Sequence, residues 1–177
     1  MRQLPPQRKL EENLHMRWSE LDQADCPIAR ALSILGDRWT FLILRDCFFG
    51  VSRFEGFQAN LGLSRTILRD RLGHLVQAGI LVQRPYQDNP IRNDYVLSAK
   101  GRALNGVMLM LGQWGADAVE GQPETQVRHR HQTCGEVLLP YVACTACGEE
   151  VVAKDVRTER VGPPLLAHLF DKSARDR

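Results

Sequence analysis

Apolar positions recur at helical spacing from early in the chain. Leu10, Leu14, Trp18 and Leu21 follow one another at intervals of four, four and three, which predicts a helix over residues 10–23. The pair Cys26-Pro27 interrupts it, and Pro27 suits the first position of a second helix, "PIARALSILG", closed at Gly36. "DRWTFLILRDCFF" is apolar on most sides through Trp39, Phe41, Leu42, Ile43, Leu44 and Phe48, so a third helix is expected inside a small core. Ser52 is placed to cap a helix of about three turns from Arg53 to Asn60. Gly62 then supplies a turn, and Ser64 caps "RTILRDRLGHLVQA". Ile67, Leu68, Leu72, Leu75 and Val76 form one apolar stripe there, with Gly79 as the residue that ends the helix.

Beyond Gly79 the period becomes two. "ILVQRPY" and "DYVLS" read as short strands joined by "QDNPIRN". "SAKGRALNGVMLMLGQWGADAV" returns to helical spacing, capped by Ser98, with Leu104, Met108, Leu111 and Trp114 on one side. Gly106 and Gly112 within it leave room for close helix packing. Two helices joined through a glycine, the second arginine-rich at its start, make a helix-turn-helix, and a basic hairpin directly after it makes a wing. The fold class expected is mainly α with a small β wing: a winged helix-turn-helix domain followed by a small zinc-ribbon-like β tail. The boundaries are an N-terminal dimerisation arm over 1–25, the winged domain over 26–120, a linker over 121–127, the ribbon-like extension over 128–160 and a C-terminal tail over 161–177.

Composition adds a compartment. With 44% hydrophobic and 25% charged residues the chain has an ordinary globular balance, and no apolar run approaches the length of a membrane span. The N-terminal stretch carries charges where a signal peptide needs its apolar core, so a cytoplasmic location with reduced cysteines is expected. The overall charge of +2 hides an asymmetry. Residues 26–102 hold 11 basic and 6 acidic side chains, while the segments on either side are net acidic. The middle of the chain is therefore where an anionic partner is expected.

In a helix-turn-helix the start of the second helix enters the major groove. Here that start is Ser64, Arg65, Thr66 and Arg69. Arg65 and Arg69, four apart, share a face opposite Leu68, Leu72 and Leu75. Arginine suits bidentate contact with guanine, and Ser64 and Thr66 suit a phosphate or a thymine methyl. Arg53 and Arg92 are positioned for backbone phosphates.

The stretch from "CPIARALSILGDRWT" through "RFEGF", "GLSRTILRDRLGHLVQAGIL" and "PIRNDYVLSAKGRAL" resembles the HxlR-type family of bacterial, MarR-like winged-helix transcriptional regulators. The resemblance covers about residues 26–118 and implies a homodimer that binds double-stranded DNA at a pseudo-palindromic operator, commonly as a repressor. The dimer contacts it implies lie on terminal helices, where Trp18, Leu21, Leu111 and Trp114 are the candidates. It also raises a second mode of control, in which Cys26, beside a helix N-terminus, senses oxidants or electrophiles. Burial as a small core residue is the plain alternative for that thiol, and core packing is the reading for Cys47.

The remaining cysteines fall in "HQTCGEVLLPYVACTACGEE". His131-x2-Cys134-Gly135 and Cys144-x2-Cys147-Gly148 are two half-sites of equal spacing around an apolar stretch. Three thiolates and an imidazole make a closed, tetrahedral and therefore structural Zn²⁺ site, with His129 as the competing nitrogen ligand. A disulfide between Cys144 and Cys147 is the alternative. A metal-dependent hydrolase would need an open coordination position and a general base, for which the chain offers no HExxH-type pattern. A winged helix serving only protein contacts is a third class, weakened by the presence of Arg65 and Arg69. Trp18, Trp39, Phe49 and Trp114 are candidates for the lining of a small-molecule effector pocket, an aromatic ligand being the natural guest.

Overall fold

The computed structural model describes residues 21–22, 26–118 and 127–159. The helix expected over 10–23 thus lies outside the described residues except at its end, as do most of the 121–127 linker and the 161–177 tail. The chain divides into two compact units, the first made of residues 1–38 with 159–177 and the second running from Trp39 to Thr158.

In the first unit, helix α1 (Pro27–Leu35) begins with proline at its first turn and closes at Gly36, whose N–H donates to the Leu32 carbonyl. Leu21 and Ala29 are buried together, with Cys26 packed against them.

The second unit holds the winged domain. Helix α2 (Arg38–Phe48) runs into it and buries Ile43 and Leu44 completely. Helices α3 (Phe54–Leu61) and α4 (Arg65–Gln77) follow, separated by Gly62 at φ 64, a left-handed conformation that glycine adopts without steric cost. Phe57 from α3 and Leu68, Leu72 and Leu75 from α4 are fully buried. Side chains of this kind each contribute roughly 1.5–3 kcal/mol on leaving water. Ile67, expected in the same stripe, is instead exposed, because the buried face narrows to every third or fourth residue. Gly79 at φ 70 ends the helix as the sequence implies.

Strands β1 (Leu81–Asp88) and β2 (Ile91–Leu97) pair antiparallel from Leu81↔Leu97 to Asp88↔Ile91, with a bulge at Tyr86. The hairpin is longer than the sequence suggests: most of the expected connecting loop is in the ladder, and the tip is only Asn89-Pro90, joined by a cis bond. The segment before α3 adds to this sheet, since Tyr95 N–H donates to the Ser52 carbonyl at 2.7 Å and Arg53 bridges Asp94. Ser52 accordingly does not cap α3. Its hydroxyl donates to Asp94 Oδ1 at 2.9 Å, and Arg53 occupies the cap position without a side-chain bond.

The last helical stretch is also two pieces rather than one. Helix α5 (Ala99–Arg102) is capped by Ser98, whose oxygen accepts from Gly101 N–H, and helix α6 (Asn105–Asp117) starts after a turn at Ala103-Leu104. The break follows from how α5 is tied down. Ser98 Oγ donates to the Gly79 carbonyl at 2.6 Å, and Lys100 Nζ donates to the Ala78 carbonyl at 2.9 Å. These bonds fix α5 against the end of α4, so the chain must turn before continuing. Helix α6 has no buried residue.

Candidate nucleic-acid interface and tail

Ser64 sits just before α4 and its hydroxyl accepts from Ile67 N–H at 3.3 Å, which fixes where the helix begins. Arg65, Thr66 and Arg69 then emerge exposed on the first turns, while Leu68 and Leu72 hold the opposite face in the core. Arg65 is already placed by its surroundings. Its guanidinium lies 5.0 Å from the centre of the Phe54 ring, and Nη1 donates to Gln58 Oε1 at 3.4 Å. A shallow notch of about 300 Å³ between α4 and the wing brings Arg65 together with Arg92, beside Phe54, Tyr86 and Tyr95. Arg53 borders this surface with its charge partly engaged, 3.7 Å from Asp94 and 4.6 Å above the Tyr86 ring. Phe54 and Gln58 are positioning residues that sequence periodicity does not reveal, since neither is adjacent to Arg65 in the chain. The arrangement offers hydrogen-bond donors and positive charge on one surface of α4 and the wing, suited to a groove and its flanking phosphates.

The tail consists of two turns built alike. His131 N–H donates to the Glu136 carbonyl and Gly135 N–H to the His131 carbonyl. Thirteen residues later Cys144 N–H donates to the Glu149 carbonyl and Gly148 N–H to the Cys144 carbonyl. Gly135 and Gly148 have φ of 76 and 79, so both turns depend on glycine in the same way. Each turn has one isolated bridge, Arg130↔Val137 and Ala143↔Glu150, in place of the longer ribbon strands expected between them. Within the first turn Cys134 Sγ lies 3.4 Å from His131 Nδ1. In the second, the backbone N–H groups of Cys147 and Ala146, with the Cys147 side chain, hold the Cys144 thiol below its ordinary pKa. The donors are therefore paired within each turn. Among the described residues no group of three or more His, Cys, Asp or Glu side chains is gathered as a metal centre. All five cysteines are free thiols, including Cys144 and Cys147.

The four aromatic pocket candidates are scattered. Trp18 lies outside the described residues, Trp39 is half-buried at the start of α2 and Trp114 is 69% exposed. Phe49 lines a cleft of about 890 Å³ between α2, α6 and the first tail turn. Asp46 lies in its wall and is 2% exposed. The sequence does carry a signal for it: the charged pair Arg45-Asp46 inside the mostly apolar run "TFLILRDCFF".

A family model described as HxlR-like helix-turn-helix matches residues 34–123. The chain belongs to that family. It is 42% identical over 142 residues to a helix-turn-helix transcriptional regulator of Mycobacterium tuberculosis strain H37Rv, covering 80% of this chain and 89% of the relative. That match leaves 35 residues of the 177 unaligned, fewer than the 54 that follow residue 123, so the likeness runs on into the tail. Among solved structures, the crystal structure of the transcription factor PA1607 superposes with a TM-score of 0.71 at 38% identity, covering 80% of this chain and 99% of its own. PA1374, a transcription factor from Pseudomonas aeruginosa, superposes with a TM-score of 0.55 at 33% identity, covering 81% of this chain and 97% of its own. This HxlR-family chain is thus a transcriptional regulator of the helix-turn-helix type, with the fold of a DNA-binding protein. None of its described helices is long and apolar enough to cross a membrane.

Proposed function

We propose that this HxlR-family protein is a homodimeric repressor that binds a pseudo-palindromic operator and is released by a small-molecule effector. The observation that carries the reading is the start of α4. Arg65 and Arg69 stand exposed there with Thr66, and the Phe54 ring and Gln58 hold Arg65 in place. Arg53 and Arg92 serve as phosphate contacts on either side. The dimer rests on α6, which has no fully buried residue and exposes Val107, Leu111 and Trp114. Leu21 is not part of that surface, because it is buried against Ala29 in its own unit.

The tail turns would be held together by one Zn²⁺ on His131, Cys134, Cys144 and Cys147. Matched backbone geometry and paired donors support this, and so does the lowered pKa of Cys144, because zinc takes the thiolate. The ion would have a structural role, since four protein donors leave no position for a substrate. Cys26 packs against Leu21 and Ala29 but stays half-exposed at the start of α1, so control through its thiol is the second reading.

The test is fluorescence anisotropy with the protein's own upstream DNA, titrated with salt. Arg65→Ala should weaken specific binding by about 10–100-fold, the range for losing one bidentate base contact, and leave binding to random DNA nearly unchanged. Equal losses on both DNAs would make Arg65 a phosphate contact, and salt-insensitive or absent binding by the parent protein would remove the regulator reading. Elemental analysis should find one zinc per chain, lost in Cys144→Ser.

A further inference from the structure

The cleft of about 890 Å³ beside α6 is long as well as apolar. Its lining on that helix runs from Asn105 to Ala116, roughly 16 Å at the rise of an α-helix. Met108, Gly112 and Ala116 follow one another at intervals of four and so form one row. The two small residues make that row a trough along the helix axis. Phe41 and Phe48 of α2 and Leu138 of the tail add apolar surface. The volume lies within the usual range for small-molecule sites. A slot of this shape suits an extended hydrocarbon chain better than a compact ring system.

The charges that the cleft shows to solvent are positive. Among the described residues that line it, Asp46 is the only acid, and it is buried. Arg45 and Arg128 line the cleft as well, and the Arg45 side chain is 42% exposed. Arg45 directs Nε at 3.0 Å and Nη2 at 2.8 Å to Asp46 Oδ1. A guanidinium carries its N–H groups in a planar fork, so the end formed by Nη1 and the second Nη2 hydrogen remains for another acceptor. A carboxylate fits that end in bidentate fashion. Asp46 cancels the charge of Arg45, and Arg128 supplies the excess that favours an anionic head group over a neutral one.

We propose that this cleft binds a linear aliphatic monocarboxylate. Its chain lies along Met108, Gly112 and Ala116 and its carboxylate meets the open end of the Arg45 guanidinium, with Arg128 adding positive charge to the same cleft. The regulatory meaning rests on the effector-controlled reading above, whereas occupancy does not depend on DNA.

The experiment is isothermal titration of the full-length protein, without DNA, with decanoate, 1-decanol and butanoate. The alcohol keeps the chain and removes the charge, and butanoate keeps the head group and shortens the chain. One decanoate per chain is expected, bound about tenfold or more tighter than 1-decanol, the scale of a charge-assisted hydrogen bond, and far tighter than butanoate. Arg45→Gln combined with Asp46→Asn removes both charges together, which avoids stranding a buried carboxylate, and should erase the preference for the acid. Arg128→Gln, at an exposed position, tests the head group independently: decanoate should weaken severalfold while 1-decanol is unchanged. Gly112→Leu should abolish binding of both, because a Cβ at Gly112 meets only open space and leucine favours the helix. Circular dichroism confirms that each variant is folded. Decanoate no tighter than 1-decanol or butanoate, no decanoate binding below its micellar concentration, a preference unchanged by the head-group variants, or unaltered binding in folded Gly112→Leu would overturn the site. DNA binding of the ligand-free protein is measured separately, so that result leaves the regulator reading standing.

Discussion

The rings of Phe49 and His129 stack with centroids 6.4 Å apart and planes 29° from parallel. Phe49 follows α2, and His129 lies two residues before the first tail turn, so this pair joins the extension to the winged domain across eighty residues of sequence. The His129 carbonyl accepts from Leu138 N–H at 2.8 Å, which ties it to the strand-like segment after the turn. The engagement of the His129 ring with Phe49 also argues for His131, rather than His129, as the nitrogen that would meet a metal.

Removing the ring should loosen the tail before it loosens the core. Phe49→Ala forfeits a contact worth about 0.5–1.5 kcal/mol. Amide exchange over 127–140 should accelerate several-fold while α4 keeps its protection. Uniform acceleration across both regions would show that Phe49 supports the whole unit rather than the junction.

Two glycines should respond with opposite signs. A Cβ at Gly101 would collide with the Ile80 carbonyl, a backbone atom that also accepts from Ser98 N–H. Gly101→Ala should destabilise by about 1–3 kcal/mol, the usual cost of overpacking. Gly115 in α6 has open space around its Cβ position, and Gly115→Ala should stabilise by up to about 1 kcal/mol. Chemical denaturation of the two variants beside the parent measures both.

Cys47 should be the slowest thiol to react. Burial first, and then the neighbouring Asp46 carboxylate, push its pKa from 9.0 up to about 12. A raised thiol pKa means less thiolate at any given pH, so at pH 8 the reactive fraction drops about a thousandfold relative to an ordinary cysteine. Iodoacetamide labelling followed by peptide mapping should modify exposed Cys134 in native protein and reach Cys47 only in urea. Equal rates at the two positions would contradict the buried environment of Cys47.

Trp114 should govern assembly. Trp114→Glu places a charge on the outward face of α6 and should yield folded monomers by light scattering, with operator affinity falling far more than helix content. A dimer that survives the substitution would move the contact elsewhere on the chain.

The recognition helix was readable from sequence because everything that defines it is local: Ser64 caps it, Leu68, Leu72 and Leu75 anchor it, and Gly79 ends it. The same locality made the two tail turns visible as repeated spacings with a following glycine. What escaped the sequence depends on distant partners. Ser52 looks like a helix cap, yet Asp94, forty-two residues away, takes its hydroxyl. The turn at Ala103-Leu104 has no breaker residue, and arises because Ser98 and Lys100 are bound to carbonyls at the end of α4. The cleft was invisible for a related reason: its walls come from α2, α6 and the tail, and the aromatic residues that suggest a pocket mostly do not face it.

In the dimer proposed above, the place of α6 between the cleft and Trp114 would make that helix a lever. One side closes the cleft and the other carries the surface proposed to meet the second subunit. A guest that wedges Met108 and Gly112 away from α2 would tilt Trp114 and shift the partner. Two recognition helices must stand about 34 Å apart to enter successive major grooves. A displacement of one or two ångströms at α6, carried through the partner, would put the second reader out of step with the DNA without touching the first.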